Sequence, residues 1–439
     1  MRTGALTTVM VTSVVLAAAG GAVAQTSPAP PGIPGRVLTL DEAITIALES
    51  QPQIQARLAD YLAARFRVDQ ALAPLLPQLT GSWTAQREQS VAVSRGVSGA
   101  LPPRTVTSWE TSTTAQVSAS QLLFDFGKTL AATDAAKKNA AVSLEDVELQ
   151  RQLITQAVKE SYTNINFAQR LIRVNQQALE RAELNLRSAR GFFEVGTRPK
   201  SDVTRAEVDV ANARVDVIRA RNAERVARVA LNTAMGIPAD TPTQVQDNLT
   251  HTPVSLDRSQ LLAEALRQRP EYRQTRLRVD AAEATVRQTF RNFFPDITGG
   301  GSYGASRADM NEIWELSLSM SWTLYDGGGR IARHREARAA FDAAQARVRA
   351  AELDISREVE QAQLTLGETE ERIQAAQKAV ESAQENFRLA QGRFDAGVGT
   401  ILELTDAQLA LTQAQNTEAQ ALADFRIALA RLERALGRR

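Results

Sequence analysis

The 439-residue chain contains no cysteine and only two histidines, His251 and His334. Disulfides, thiolate nucleophiles and thiolate metal sites are therefore excluded, and two imidazoles leave little for histidine catalysis or metal ligation. Charge of either sign is not in excess: 51 Lys and Arg face 50 Asp and Glu, a net +1, so nothing draws the chain towards nucleic acid. Beyond the first two dozen residues no run of roughly 18 apolar residues occurs, which excludes a membrane-spanning helix there. If the chain enters a membrane after that point, it does so as a closed β-barrel.

What is present begins with an address. Arg2, an apolar stretch at 9–16 and the small-residue pattern Ala22-Val-Ala24 read as an export signal, residues 1–24, cleaved before Gln25. No cysteine stands there for a lipid anchor. Residues 25–37 form a proline-rich, extended arm. The composition suggests a bacterial periplasm or outer membrane.

The rest reads as one unit written twice. Leu38-Thr-Leu-Asp41 starts a helix, with Thr39 or Asp41 as its N-cap, and Pro52 redirects it. A second helix runs towards Pro74 and Pro77. From Leu79 the period changes to two: Leu79, Gly81, Trp83 and Ala85 alternate with Thr80, Ser82, Thr84 and Gln86. A Ser/Gly/Pro segment from Ser94 to Arg104 precedes another alternating stretch, 105–124. A proline-free helix of roughly 65 residues, about 100 Å long, then runs to Phe193. Gly196–Pro199 turns the chain into a return helix that ends at Gly236-Ile-Pro238.

The order then recurs. Pro270 and Pro295 match Pro52 and Pro77 at one offset, 270 − 52 = 218 and 295 − 77 = 218. The strand-to-helix corner Asp326 matches Asp125, and Gly397 matches Gly196, at 326 − 125 = 201 and 397 − 196 = 201. The shorter offset places the length difference in the loop between strands. The expected repeats are 38–255, with strands at about 79–124 and a helical hairpin at about 127–236, and 256–439, with strands at about 296–325 and a hairpin at about 329–437. In the last strand Trp314, Leu316, Leu318, Met320, Trp322 and Leu324 alternate with Glu315, Ser317, Ser319, Ser321 and Thr323.

The return helices carry heptads. Val203, Val210, Val217 and Leu231 form one row and Ala206, Ala213, Ala220, Ala227 and Ala234 another, which specifies a tight coiled-coil seam interrupted at Glu224. From the helices alone, a soluble rod fits as well as a membrane protein. The strands favour the membrane: an apolar face and a Ser/Thr face suit lipid outside and water inside. Four strands cannot close a barrel, so copies must pool them, eight strands from two chains or twelve from three. A β-sandwich capping a periplasmic rod is the competing arrangement.

These features together resemble the TolC-type outer-membrane factors over nearly all of the mature chain. The resemblance rests on the duplicated element order, the prolines at 52 and 270, and the corners Asp125-Phe-Gly127 and Asp326-Gly-Gly328. It rests most on the turn motifs Val195-Gly-Thr197…Ser201-Asp-Val203 and Ala396-Gly-Val-Gly-Thr400…Glu403-Leu-Thr-Asp-Ala407. It implies a mostly α fold with a small β part: a homotrimeric channel-tunnel whose twelve-stranded outer-membrane β-barrel, four strands per protomer, continues as a long α-helical coiled-coil barrel. It implies the passive exit duct of a tripartite efflux or type I secretion system, with a periplasmic adaptor, an inner-membrane pump reached through that adaptor, and outer-membrane lipid as partners. The family's constricting acids fall on Glu403 and Asp406, with Asp202 on the first hairpin. Glu403 stands where the best-known pattern has Asp, and Gly399 where an arginine can stand; Arg198, Lys200 and Arg205 are candidate replacement cations. Glu403 and Asp406 share one helix face and would stack as two acidic rings in a trimer, although first-turn acids are also favoured by the helix dipole. Gly196, Thr197, Gly397, Gly399 and Thr400 are candidate adaptor contacts, and equally residues that merely make the turns.

Chemistry is otherwise missing. Gly127-Lys128-Thr129 lacks the first glycine of a phosphate loop, since position 122 is Leu122, and Gly327-Gly-Gly329 lacks dinucleotide-binding spacing. No catalytic, cofactor or metal site is expected, and no enzyme activity. The alternative function is a periplasmic coiled-coil adaptor or scaffold without a pore.

Overall fold

The computed structural model describes residues 37–94, 104–250, 258–307 and 311–438. The expected signal at 1–24, nearly all of the arm at 25–37, the loop centred on 95–103 and the repeat boundary at 255/256 lie outside the described residues.

Helix α1 (Leu40–Ser50) starts at Thr39, whose hydroxyl accepts from Glu42 N while Glu42 Oε2 accepts from Thr39 N, a closed capping box. Pro52 opens α2 (Pro52–Leu72), where its missing N–H is harmless. Strands β2 (Gln78–Ser94) and β3 (Arg104–Phe124) follow; β1 is the two-residue Val37–Leu38. The long helix α3 (Lys128–Glu194) spans 67 residues and returns as α4 (Lys200–Met235). Then come β4 (Gln244–Val245), α5 (Arg258–Gln268), α6 (Pro270–Arg291), β5 (Asp296–Arg307), β6 (Asn311–Ser321), a second 67-residue helix α7 (Gly329–Asp395), and α8 (Ile401–Ala435). Among the described residues no helix is long and apolar enough to cross a membrane.

The four main strands form one antiparallel sheet in the order β2-β3-β5-β6, so β2 and β6 are open edges. The first pair runs to 17 and 21 residues. The last strand is shorter: it ends at Ser321, and Trp322 leaves the ladder to donate its indole N–H to the Phe293 carbonyl at 3.0 Å. Alternation holds where register can be followed, with Leu79, Ala119, Gly301 and Leu316 side by side. Every residue of β6 is exposed, Leu316 at 83%.

The strand-to-helix corners are capped by aspartates. Asp125 accepts from Gly127 N and Thr129 N at 2.9 and 2.6 Å, and Asp326 from Arg330 N at 2.9 Å. Lys128 has a structural partner rather than a phosphate: it pairs with Asp296 on β5.

The core lies midway along the long helices and is itself duplicated. In the first cluster Ile154, Val158 and Ile165 pack with Ala43, Ala47 and Leu231; in the second Ile355, Val359 and Leu366 pack with Leu261, Ala265 and Leu432. The offsets are 355 − 154 = 201 and 261 − 43 = 218, the same two that the sequence shows. The first cluster has an addition that the periodicity did not reveal. A parallel pair, β1 with β4, is held to α3 by Tyr162, whose hydroxyl lies 2.9 Å from the carbonyls of Leu38 and Gln246.

Candidate functional site

The long helices carry both turns to the end of the molecule far from the sheet, about 100 Å along 67 residues. Each turn is a left-handed glycine cap. Gly196, at φ +75°, donates to Phe193 O while Thr197 N–H reaches Phe192 O; Gly397, at φ +78°, donates to Phe394 O while Val398 N–H reaches Arg393 O. A methyl group at either glycine would meet no atom within 4 Å, so it is the backbone conformation that requires them. Gly399 is required for space: a Cβ there would lie 3.0 Å from the backbone of Arg393 and Phe394.

Thr197 and Thr400 both have local work. Thr197 Oγ1 donates to Phe192 O at 2.9 Å, and Thr400 caps α8 by accepting from Glu403 N at 3.2 Å. The valines flanking the glycines, Val195 and Val398, are 72% and 71% exposed.

Beneath the turns lies a small apolar cluster that sequence reasoning missed. Phe394 is fully buried among Ile401 and Leu404, with Phe192 edge-on at 5.7 Å. Phe193, the repeat equivalent of Phe394, is exposed instead. The cause is readable in the next helix: the position that supplies Ile401 over Phe394 is Lys200 in the first copy, and a lysine cannot cover a ring in the same way.

Arg198 joins the two tips within one chain. Its guanidinium sits 4.7 Å from the Phe394 ring centre, donates to Gly399 O at 2.6 Å and lies 3.7 Å from Asp202. Both side chains of that pair are largely buried, at 14% and 15% exposure. Such a cation has three claims on it: a carbonyl, a carboxylate and an aromatic face. Further up, Thr405 donates to Asp209 at 3.0 Å and Asn185 to Gln408 at 2.7 Å, so the hairpins meet through polar contacts near the tip.

The remaining candidate residues are not drawn together. Glu403 is paired with Arg393 of its own hairpin at 3.5 Å, not with Arg198, Lys200 or Arg205 as replacement cations. Arg393 closes the preceding helix and is near Glu403 in space because the turn is tight. Asp406 and Arg205 are exposed and form no ion pair among the described residues. They take no part in the chain's own ion pairs, and sequence could not supply that distinction because the charges of both tips lie close together after the turn glycines.

Residues 43–237 and 261–438 match the family model described as outer membrane efflux protein. Among curated relatives, nodulation protein T of Rhizobium leguminosarum bv. trifolii is 24% identical over 413 residues, covering 91% of this chain and 84% of that protein. Outer membrane protein OprJ of Pseudomonas aeruginosa is 25% identical over 420 residues, covering 91% and 84%. Among solved structures, a membrane protein from Pseudomonas aeruginosa superposes with a TM-score of 0.77 at 23% identity, over 91% of this chain and 90% of that one, which speaks for the fold.

Proposed function

The chain belongs to the outer membrane efflux protein family, and from that premise we propose how this copy of the design is assembled, closed and docked. It is an outer-membrane exit duct that extends into the periplasm. Three copies pool their open sheets, since four strands with exposed edges cannot close and twelve leave a water-filled lumen. The two hairpins of each copy build the periplasmic tunnel. The duct conducts passively and catalyses no reaction; a periplasmic adaptor joins it to an inner-membrane pump, which chooses the cargo.

The gate reading assigns Glu403 and Asp406 to two acidic rings at the tunnel mouth, with Asp202, Arg198 and Arg205 around them. What supports it most is the contrast at the tip. Arg198 and Asp202 are consumed in holding the hairpins of one chain together, whereas Asp406 and Arg205 are exposed and free to face neighbouring copies. The docking reading assigns Gly196, Thr197, Gly397, Gly399 and Thr400 to the adaptor contact. It is supported by the open space over Gly196 and Gly397 and by the bare valines beside them. An adaptor would cover that apolar surface.

The test uses protein extracted from outer membranes and shown to run as a trimer. In planar bilayers, Glu403→Ala with Asp406→Ala raises single-channel conductance and weakens cation preference. Trimers whose conductance and selectivity match the parent would remove the gate assignment, and recovery of the chain as a soluble periplasmic monomer would remove the duct itself.

A further inference from the structure

The duct reading sets one face of the sheet against lipid, and any lipid site on that face rests on the same reading. By register the face holds the odd positions of β2, β3 and β5 and the even positions of β6. The long helices leave the sheet after Phe124 and Ser321, so that end points to the periplasm and the Ser94/Arg104 end to the outer leaflet. Up the outward side of β2 the residues are Leu79, Gly81, Trp83, Ala85 and then Arg87. The guanidinium of Arg87 lies 5.0 Å from the Trp109 ring centre, and it pairs with no carboxylate among the described residues. Below it, small residues of three strands, Gly81, Ala115 and Ala305, floor a shallow trough between the rings of Trp83 and Tyr303, with Val117 also lining it. The one acid of this face among the described residues, Glu312 on β6, also borders the trough. It accepts from Tyr303 Oη at 2.8 Å and stands three strands away from Arg87.

We propose that this patch binds a phosphorylated glycolipid of the outer leaflet, Arg87 taking the phosphate and the trough an acyl chain. A bare arginine facing lipid is costly at mid-membrane and tolerable only near an interface where its charge is met. Trp109 covers one face of the guanidinium and leaves its planar fork of donors to a bidentate acceptor such as phosphate. Trp83 precedes Arg87 by four residues, about 13 Å along a strand, so charge lies above trough as a headgroup lies above its chains. The leaflet decides between anionic lipids: Arg87, paired with Thr111, lies just past the last row that β3 shares with β5, where Thr113 meets Arg307, on the side away from the helices. Phosphorylated glycolipid is the resident species of the outer leaflet. The backbone position of Arg307, opposite Thr113, shares this face and lies close to Thr111, the partner of Arg87.

Trimers of the full-length protein, purified from outer membranes in mild detergent, are stripped and incubated with purified phosphorylated glycolipid, with its dephosphorylated form, or with phosphatidylglycerol. Bound lipid per trimer is counted by native mass spectrometry. The parent retains the phosphorylated glycolipid preferentially; Arg87→Ala lowers its apparent affinity roughly tenfold, the scale of one charge-assisted contact, and Arg87→Lys recovers part of it. Leu316→Ala, on the same face but away from the patch, leaves retention unchanged. Equal retention by the parent and Arg87→Ala overturns the site, as does equal binding of the dephosphorylated form or of phosphatidylglycerol. Because trimers are scored first on the same preparation, absence of trimers overturns the duct reading, while trimers that retain no glycolipid overturn only the site.

Discussion

Arg198 shows how much a single side chain carries at the tip. It is held by Gly399 O, Asp202 and the face of Phe394, and it is the residue through which the first turn touches the second. Truncation leaves a carbonyl and a carboxylate short of their donor, so Arg198→Ala should lower the free energy of local opening by roughly 1.5–3 kcal/mol. Amide hydrogen exchange around 394–404 reads this directly: faster exchange there, unchanged exchange in the duplicated core. Unaltered exchange at the tip would show that the apolar cluster of Phe394, Ile401 and Leu404 suffices alone.

At the scale of elements, the hairpins end in four left-handed glycines that look alike in sequence and differ in surroundings. Gly196 and Gly397 have open space around them. Gly236 and Gly437 close the return helices against the elbows before Pro52 and Pro270. A Cβ would lie 2.9 Å from Gln51 Cα in the first case and 2.9 Å from Arg269 N in the second. Gly196→Ala should therefore cost about 1 kcal/mol, the penalty of a left-handed alanine. Gly236→Ala adds a clash with backbone that cannot move aside, roughly 1–3 kcal/mol more. The two variants are compared by thermal unfolding in one detergent, and equal melting temperatures would contradict the close packing at Gly236. The seams follow the same logic: Val210, Val217, Leu231, Ala206 and Ala220 are buried as the heptads require, and Glu224 sits in the seam only because Arg228 pairs with it.

At the scale of the whole molecule, the second long hairpin, α7 with α8, is tied midway to the elbow before α6 by charge as well as by apolar packing. Arg269, 3% exposed, binds Glu271 and Glu358, and Arg434 bridges the same two acids. Burial pushes Glu271 up, but hydrogen bonding and charge from Arg269, with the charge of Arg434, prevail and hold it below the usual carboxylate range. A carboxylate depressed in the folded state contributes stability that is complete above its ordinary value, 4.5 here, and is lost as pH falls through the folded one. Thermal stability followed by helical circular dichroism should thus decline as the medium is acidified below about that value, and Glu271→Gln should make the decline shallower. A variant that retains the parent's full acid dependence would assign the effect to other groups.

The chain's own pattern determined the duplicated order of elements, the length of the hairpins, the corners at Asp125 and Asp326, and the alternating strands. Each of these follows from short-range rules, because periodicity, proline, glycine and capping residues act on their own few neighbours. Only the tertiary structure decided which equivalent residues do equivalent work. Phe193 and Phe394 share a repeat position, yet one is exposed and the other buried, because Lys200 and Ile401 cover them differently. The ion pair Arg393–Glu403, the latch from Arg198 to Gly399 and the Tyr162 tie to β1 and β4 join residues that are brought together by chain reversal. Spacing within one helix or strand cannot report a contact made only when two such elements pack, and that is where the repeats stop being copies.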